Sequence, residues 1–158
     1  MSDVATKILY VVGDATAPGG DGPKVIAHVC NDVGAWGAGF TGAISRKWAN
    51  PEKRYRTIFK MAPLELGTVQ YADVGLGVVV ANMIAQRGLA GVAIRYGALE
   101  RCLTHLREYA LLAGASVHMP RIGCGLAGGK WTEVEPLVKK ALTDKGVVVT
   151  VYDLGVKP

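Results

Sequence analysis

The sequence predicts an α/β layer fold, and three observations carry that prediction. Short apolar, β-branched runs alternate with stretches of helical period along 158 residues. Two glycine-rich segments each sit between a predicted strand and a predicted helix. Half of the residues are apolar and one fifth charged, which suits a chain that buries a core.

The elements follow in order. Lys7 to Val12 reads as a first strand ending at Gly13-Asp14, and Pro18 to Pro23 is a loop by its turn chemistry. Val25 to Cys30 is a second strand, apolar enough to be buried on both faces. A glycine-rich stretch from Gly34 to Gly42 leads into a helix over Ala43 to Trp48, and a further helix starts near Pro51-Glu52. Val69 to Ala72 and Val78 to Met83 form a hairpin across Asp73-Val74-Gly75. From Ile94 to Ala113 the period becomes 3.6, with Leu99, Cys102, Leu103, Leu106 and Ala110 on one face and Gly114 as the stop. Ser116 to Pro120 is a strand, followed by a second glycine-rich stretch from Gly123 to Gly129. Thr132 and Glu135 have capping-box spacing for a helix that Gly146 ends, and Val147 to Tyr152 is the last strand. Neither a linker nor a repeat interrupts the order, so residues 1–158 read as one domain.

Composition excludes several function classes. No apolar run approaches the roughly 20 residues of a membrane span, and the N-terminus has no secretion-signal pattern. Three cysteines without a C-x-x-C pair argue against a disulfide framework or a zinc site, and a reducing cytoplasm is the expected compartment. The net charge of +5 favours an anionic partner without naming it, and the basic stretch Arg46 to Lys60 reads as a solvated helix face.

Gly37-Ala38-Gly39-Phe40-Thr41-Gly42 and Gly123-Cys124-Gly125-Leu126-Ala127-Gly128 both match G-x-G-x-x-G. Each match alone is weak in a chain with 21 glycines, and position strengthens both. A glycine loop between strand and helix lets backbone amides approach a phosphate beside a helix N-terminus. The plain alternative is two tight connections. A dinucleotide dehydrogenase fits poorly, since its single fingerprint belongs in the first strand–helix unit. A P-loop is excluded because Trp131 follows Gly129-Lys130 where Ser or Thr is needed. Ile122 and Leu126 stand where a nucleophile elbow around Cys124 needs glycine.

The strand ending in Gly13-Asp14, the run Ala27-His28-Val29-Cys30-Asn31-Asp32, the loop Gly37-Ala38-Gly39-Phe40 and the segment Met119-Pro120-Arg121-Ile122-Gly123-Cys124-Gly125-Leu126 with Lys130-Trp131 together resemble a macro domain. The likeness covers about Ile8 to Leu154 and is greatest to the terminal ADP-ribose protein glycohydrolase branch and the related ADP-ribose-1″-phosphate phosphatases. It implies a three-layer α/β/α fold with a mixed, mostly parallel six-stranded sheet and ADP-ribose bound at one sheet edge. By position, Asp14 with Ala15 would take the adenine end, Gly37 to Phe40 the distal ribose and one phosphate, and Ile122 to Leu126 the diphosphate. Thr41 and Arg87 would join the ligand-binding set. As a lone residue, Asp14 also fits a turn cap.

The reaction the resemblance implies is metal-free hydrolysis, without a cofactor, of the ester between ADP-ribose and Glu or Asp side chains. Its partners would be ADP-ribose and ADP-ribosylated proteins or nucleic acid, its state a monomer away from membranes. At the branch's catalytic positions this chain carries Gln86 for lysine and Ala127 for aspartate, and Thr41 replaces the aspartate of other hydrolytic macro domains. The remaining catalytic candidates are Asn31, Asp32, His28 and Gln86, each with a structural alternative: an Asx turn for Asp32, a satisfied core residue for His28. Gln86-Arg87-Gly88 with Gly91 reads as a flap, and Trp36 as a side chain able to stack on a ligand. A non-catalytic ADP-ribose reader, an ADP-ribose-1″-phosphate phosphatase and a hydrolase acting on nucleic acid are the other readings.

Overall fold

A computed structural model describes residues 7–37 and 39–155. Among them, β1 (Leu9–Val12), β2 (Lys24–Asn31), β3 (Val69–Gly75), β4 (Val78–Gln86), β5 (Ser116–Met119) and β6 (Val149–Asp153) form one sheet in the order β1-β6-β5-β2-β4-β3. Five strands run parallel, and β3 pairs antiparallel with β4 at one edge. The central strand β2 is buried along most of its length because helices cover both its faces.

Helices α3 (Tyr96–Ala113) and α4 (Trp131–Ala141) pack on one face, around Leu99, Leu103, Leu106, Val134 and Val138. Helices α1 (Phe40–Lys47) and α2 (Asn50–Met61) pack on the other, around Ile26, Ile44, Tyr55 and Ile84. Over β5 and β6 that second face is met by the segment after β1, where the Gly19 amide donates to the Tyr152 hydroxyl. The six-stranded, three-layer architecture agrees with the expectation from sequence.

Element ends moved where tertiary contacts outweigh local signals. Helix α1 begins at Phe40, three residues before the expected Ala43, because Gly39 (φ 68°, ψ −137°) turns the chain straight into it. The hairpin turns at Leu76-Gly77, not at Asp73 to Gly75: a bulge between Asp73 and Gly75 carries β3 onward, and Leu76 takes the left-handed turn position at φ 54°. Helix α3 starts at Tyr96, since Ile94 bridges to Gln86. The capping box does not form. Helix α4 begins at Trp131, whose indole donates to Tyr10, while the preceding Lys130 amide is taken by the Tyr96 hydroxyl.

After β2 the chain crosses toward β4 and β3, and after β5 it proceeds to β6 on the other side. The strand order therefore reverses between β2 and β5. In open α/β sheets a crevice outside the carboxyl ends of the strands forms at such a point.

Candidate functional site

Four loops meet outside the carboxyl ends of the parallel strands: those after β1, β2, β4 and β5. The loops after β2 and β5 are the two glycine-rich segments. They lie side by side: a Cβ on Gly39 would come within 4.0 Å of Leu126 Cδ1. The second glycine loop is folded by its own backbone. Gly129 donates to Gly123 O at 2.7 Å and Gly128 to Gly125 O at 3.1 Å. A Cβ on Gly129 would stand 2.5 Å from Gly123 O, so only glycine permits that closure. No hydrogen bond among the described residues uses the amides of Gly123, Gly125, Leu126 or Ala127. Beside them lies the N-terminus of α1, with no acidic residue in its first turn. Unspent amides and a helix N-terminus on two sides of one crevice form a cradle for an anion.

The first glycine loop is braced by side chains. Asn31 Oδ1 accepts the amides of Val33 and Ala35 at 3.0 and 3.1 Å, and its Nδ2 donates to Ala35 O. The buried Tyr55 hydroxyl donates to Asn31 as well. Trp36 donates to Ser45, which donates to Glu52, and Arg56 reaches Trp36 O. At 8% exposure the Trp36 ring packs edge-on to His28 and against Tyr55. This corrects the expectation that Trp36 stacks on a ligand: its ring is a core element under the loop.

The loop after β4 is clamped at its base. The Arg87 amide donates to Ala93 O, and the amides of Ala93 and Ile94 both donate to Ala127 O, at 2.9 and 3.0 Å. Asp32 Oδ1 accepts the Gly88 amide at 2.9 Å, and Gln86 Nε2 donates to Gly88 O at 3.0 Å. The expected flap is thus a short loop tied to both glycine segments, with Leu89 and Val92 exposed at its tip. Nothing in the sequence marks the double bond onto Ala127, because it uses only backbone. Val33, Leu89, Val92 and Leu126 are exposed apolar residues distributed over three of the four loops.

At the β1 end, Asp14 Oδ1 accepts the amide and hydroxyl of Thr16 at 2.8 and 2.7 Å. Those two bonds hold its carboxyl below the usual range, so it stays ionised. Asp14 is exposed, and the neighbouring Ala15 is buried.

Comparisons with known proteins decide the family. No family model matches the chain. A macrodomain protein from Streptomyces coelicolor is 49% identical, with a TM-score of 0.85 over 94% of this chain and 100% of that one. This chain belongs to the macrodomain family. It is also 35% identical to the chromodomain-helicase-DNA-binding protein 1-like of Mus musculus over 94% of its own length, spanning 18% of that relative. Thermosipho africanus DarTG, solved with ADP-ribose, shares the fold at a TM-score of 0.70 and 21% identity, covering 85% of this chain and 38% of that one.

Besides Asp14 and Ala15, the ligand-binding residues expected from sequence in this macrodomain stand in three places. Gly37, Gly39, Phe40 and Thr41 stand at the first loop and the start of α1, and Ala38 lies outside the described residues. Ile122, Gly123, Cys124, Gly125 and Leu126 form the second loop, where Ile122 buries its side chain and offers only backbone, and burial pushes the Cys124 thiol up. Arg87 is exposed at the start of the β4 loop.

The catalytic candidates do not converge. His28 is 2% exposed, bonded through Nε2 to Asn82 at 2.6 Å, and burial lowers its pKa to about 4. Cys30 Sγ stands 3.8 Å from that ring, but burial drives the thiol pKa upward, so the two are no nucleophile–base pair. Asn31 spends its side chain on the first loop, and Gln86 holds Gly88. Asp32 alone keeps an oxygen, Oδ2, that accepts none of the hydrogen bonds among the described residues. No group of three His, Cys, Asp or Glu among the described residues could hold a metal.

Proposed function

We propose that this macrodomain binds ADP-ribose in the crevice between β2 and β5 and hydrolyses the ester linking it to Glu or Asp side chains. One observation carries the reading: the two glycine loops lie side by side, and the second has amides that no hydrogen bond among the described residues uses. A diphosphate supplies the charge and the closely spaced oxygens that such a cradle accepts. ADP-ribose in the structure of DarTG supports the ligand class.

The adenosine end would extend toward Asp14, whose Oδ2 accepts no hydrogen bond among the described residues and could take one from the exocyclic amino group. The distal ribose would reach the space between Gly37 and the Asp32–Gly88 contact. There the Asp32 carboxylate orients a water toward the anomeric carbon. Water oxygen bonds to that carbon, the bond to the acyl oxygen breaks, the side-chain carboxylate departs with the electron pair, and the water proton passes to Asp32.

The competing reading is a reader that binds without turnover. It is favoured by the engagement of His28, Asn31 and Gln86 in structural bonds. Calorimetry with ADP-ribose tests the cradle, with micromolar or tighter binding expected and absence of binding overturning it. Release of ADP-ribose from a glutamate-linked substrate tests the chemistry. Turnover in the parent chain, lost in Asp32→Asn with binding retained, supports hydrolysis; binding without turnover leaves the reader.

A further inference from the structure

The sheet ends in two edge strands, and they differ. Strand β3 is guarded: a bulge between Asp73 and Gly75 interrupts its run, Asp73 is an exposed acid on it, and Asn50 Nδ2 takes the Asp73 carbonyl. Bulges and charges are the devices by which a sheet edge avoids pairing with another chain. Strand β1 has neither. Leu9, Tyr10, Val11 and Val12 keep an unbroken register with β6, include no charge and no proline, and are 40 to 77% exposed. Apolar side chains thus stand open on both faces of an edge whose outer side no described strand occupies.

Backbone direction fixes what this edge accepts. The Gly13 amide donates to Asp153 O, so Gly13 turns its main-chain groups toward β6. Those groups alternate sides along a strand, so Leu9 and Val11 also face β6, while Tyr10 and Val12 face outward. A second β1 laid antiparallel across a two-fold axis exchanges bonds only between outward-facing residues. Pairing Tyr10 with Val12 of the second copy satisfies this on both sides of the axis and puts Val11 opposite its own counterpart. It also sets an aromatic ring against a β-branched side chain, a favourable cross-strand pair, and Leu9 opposite Gly13. The neighbouring register, with Tyr10 on the axis, would bring two Arg121 guanidinium groups together, since each lies 5.3 Å from its own Tyr10 ring. In the register with Val11 on the axis, Lys7 comes to the strand end where Asp14 of the second copy carries its charge. Lys7 is exposed and takes part in no ion pair among the described residues, so opposite charges meet at both ends of the contact.

We propose that two copies of this chain join through β1, antiparallel about a two-fold axis at Val11, in place of the monomer that the resemblance implies. The two six-stranded sheets become continuous, and the two crevices open at opposite ends of the joined sheet. A four-residue strand pair buries less than the roughly 1,200 Å² of a stable interface. The dimer is therefore weak, forming at about 10 μM and above. It stands on the edge alone and does not depend on the reading of the crevice.

The test is sedimentation velocity of the full chain from about 2 to about 200 μM, with dimer expected toward the upper end. Val12→Pro removes an outward N–H that the β1–β6 ladder does not use, and circular dichroism should show the fold kept. Two donors are lost per dimer, so association should weaken at least about tenfold. Val11→Lys sets like charges face to face on the axis and should leave only monomer. Cysteine reads the register. Residues opposite each other in a non-bonded antiparallel pair have Cα atoms about 4.5 Å apart, within disulfide reach. Mild oxidation should therefore cross-link Val11→Cys on a non-reducing gel. Leu9→Cys should behave like the parent, because its two copies would lie four residues apart along the strands. A parent chain that stays monomeric throughout overturns the proposal, as do Val12→Pro and Val11→Lys variants that associate like the parent. Equal cross-linking of Leu9→Cys and Val11→Cys overturns it too.

Discussion

The two glycine loops share one sequence pattern and are held by opposite means. The loop after β2 is braced from below by side chains: Asn31, Tyr55, Trp36, Ser45 and Arg56 each contribute a hydrogen bond to it or beneath it. The loop after β5 closes on itself through main-chain bonds and is joined to the β4 loop through Ala127 O. Backbone closure leaves little tolerance, because a single added carbon meets main chain that cannot rotate away. Side-chain bracing is graded, because each brace can be lost separately.

That contrast sets the order of expected effects. Gly129→Ala should be the most damaging change, since its Cβ would meet Gly123 O at 2.5 Å and spread the cradle. Each charged hydrogen bond displaced from a phosphate costs about tenfold or more, so ADP-ribose affinity by calorimetry should fall about 100-fold. Near-parent affinity would show that the cradle is not where the ligand sits.

Acid should act next, and through the first loop. His28 lies beneath Trp36 and Phe40, and burial lowers its pKa from 6.5 to about 4. Between those values the unfolded chain binds a proton that the native chain refuses, so this contribution is complete above pH 6.5 and drains away as pH falls toward 4. A loss on the order of 3 kcal/mol from this residue is expected at the acid end. His118, bonded to Ser116 and Tyr152 and likewise lowered to about 4, adds in the same direction. Urea unfolding at pH 7.5, 5.5 and 4.5 measures it, and His28→Asn should make the profile shallower, leaving the His118 part.

Asn31→Ala removes one brace and leaves the Val33 and Ala35 amides without their acceptor, at about 2 kcal/mol of stability by denaturant titration. Affinity should weaken far less than in Gly129→Ala; an equal loss would erase the distinction between the loops. Smallest is Asp14→Ala, outside both loops, which should reduce ADP-ribose affinity about tenfold with stability nearly unchanged. Calorimetry against ribose 5-phosphate sharpens it, because a ligand without adenine should be indifferent to the change.

Much of this was legible before any coordinates. The period of Leu99, Cys102, Leu103 and Leu106 specifies α3, and the apolar run Val25 to Cys30 specifies β2 as an inner strand, because burial demands depend on local pattern. The cradle was legible as paired glycine motifs. Misplaced were features that depend on distant partners: the start of α4 is decided by Tyr10 and Tyr96, and Trp36 is drawn under its loop by Ser45 and Tyr55. The catalytic candidates were the least legible. Whether a polar side chain is free to do chemistry depends on what else claims its atoms.

The amino-acid order by itself determined which segments are strand or helix and where glycine frees the backbone, since periodicity and φ preference act over a few residues. Only the tertiary structure decided that the two glycine loops meet across the β2–β5 reversal, that His28 is sealed and neutral, and that Asp32 keeps an oxygen. Those outcomes turn on pairs distant in sequence, such as Gly39 with Leu126, His28 with Asn82 and Asp32 with Gly88. Such contacts are selected by packing and desolvation of the assembled chain, which no local stretch of sequence encodes.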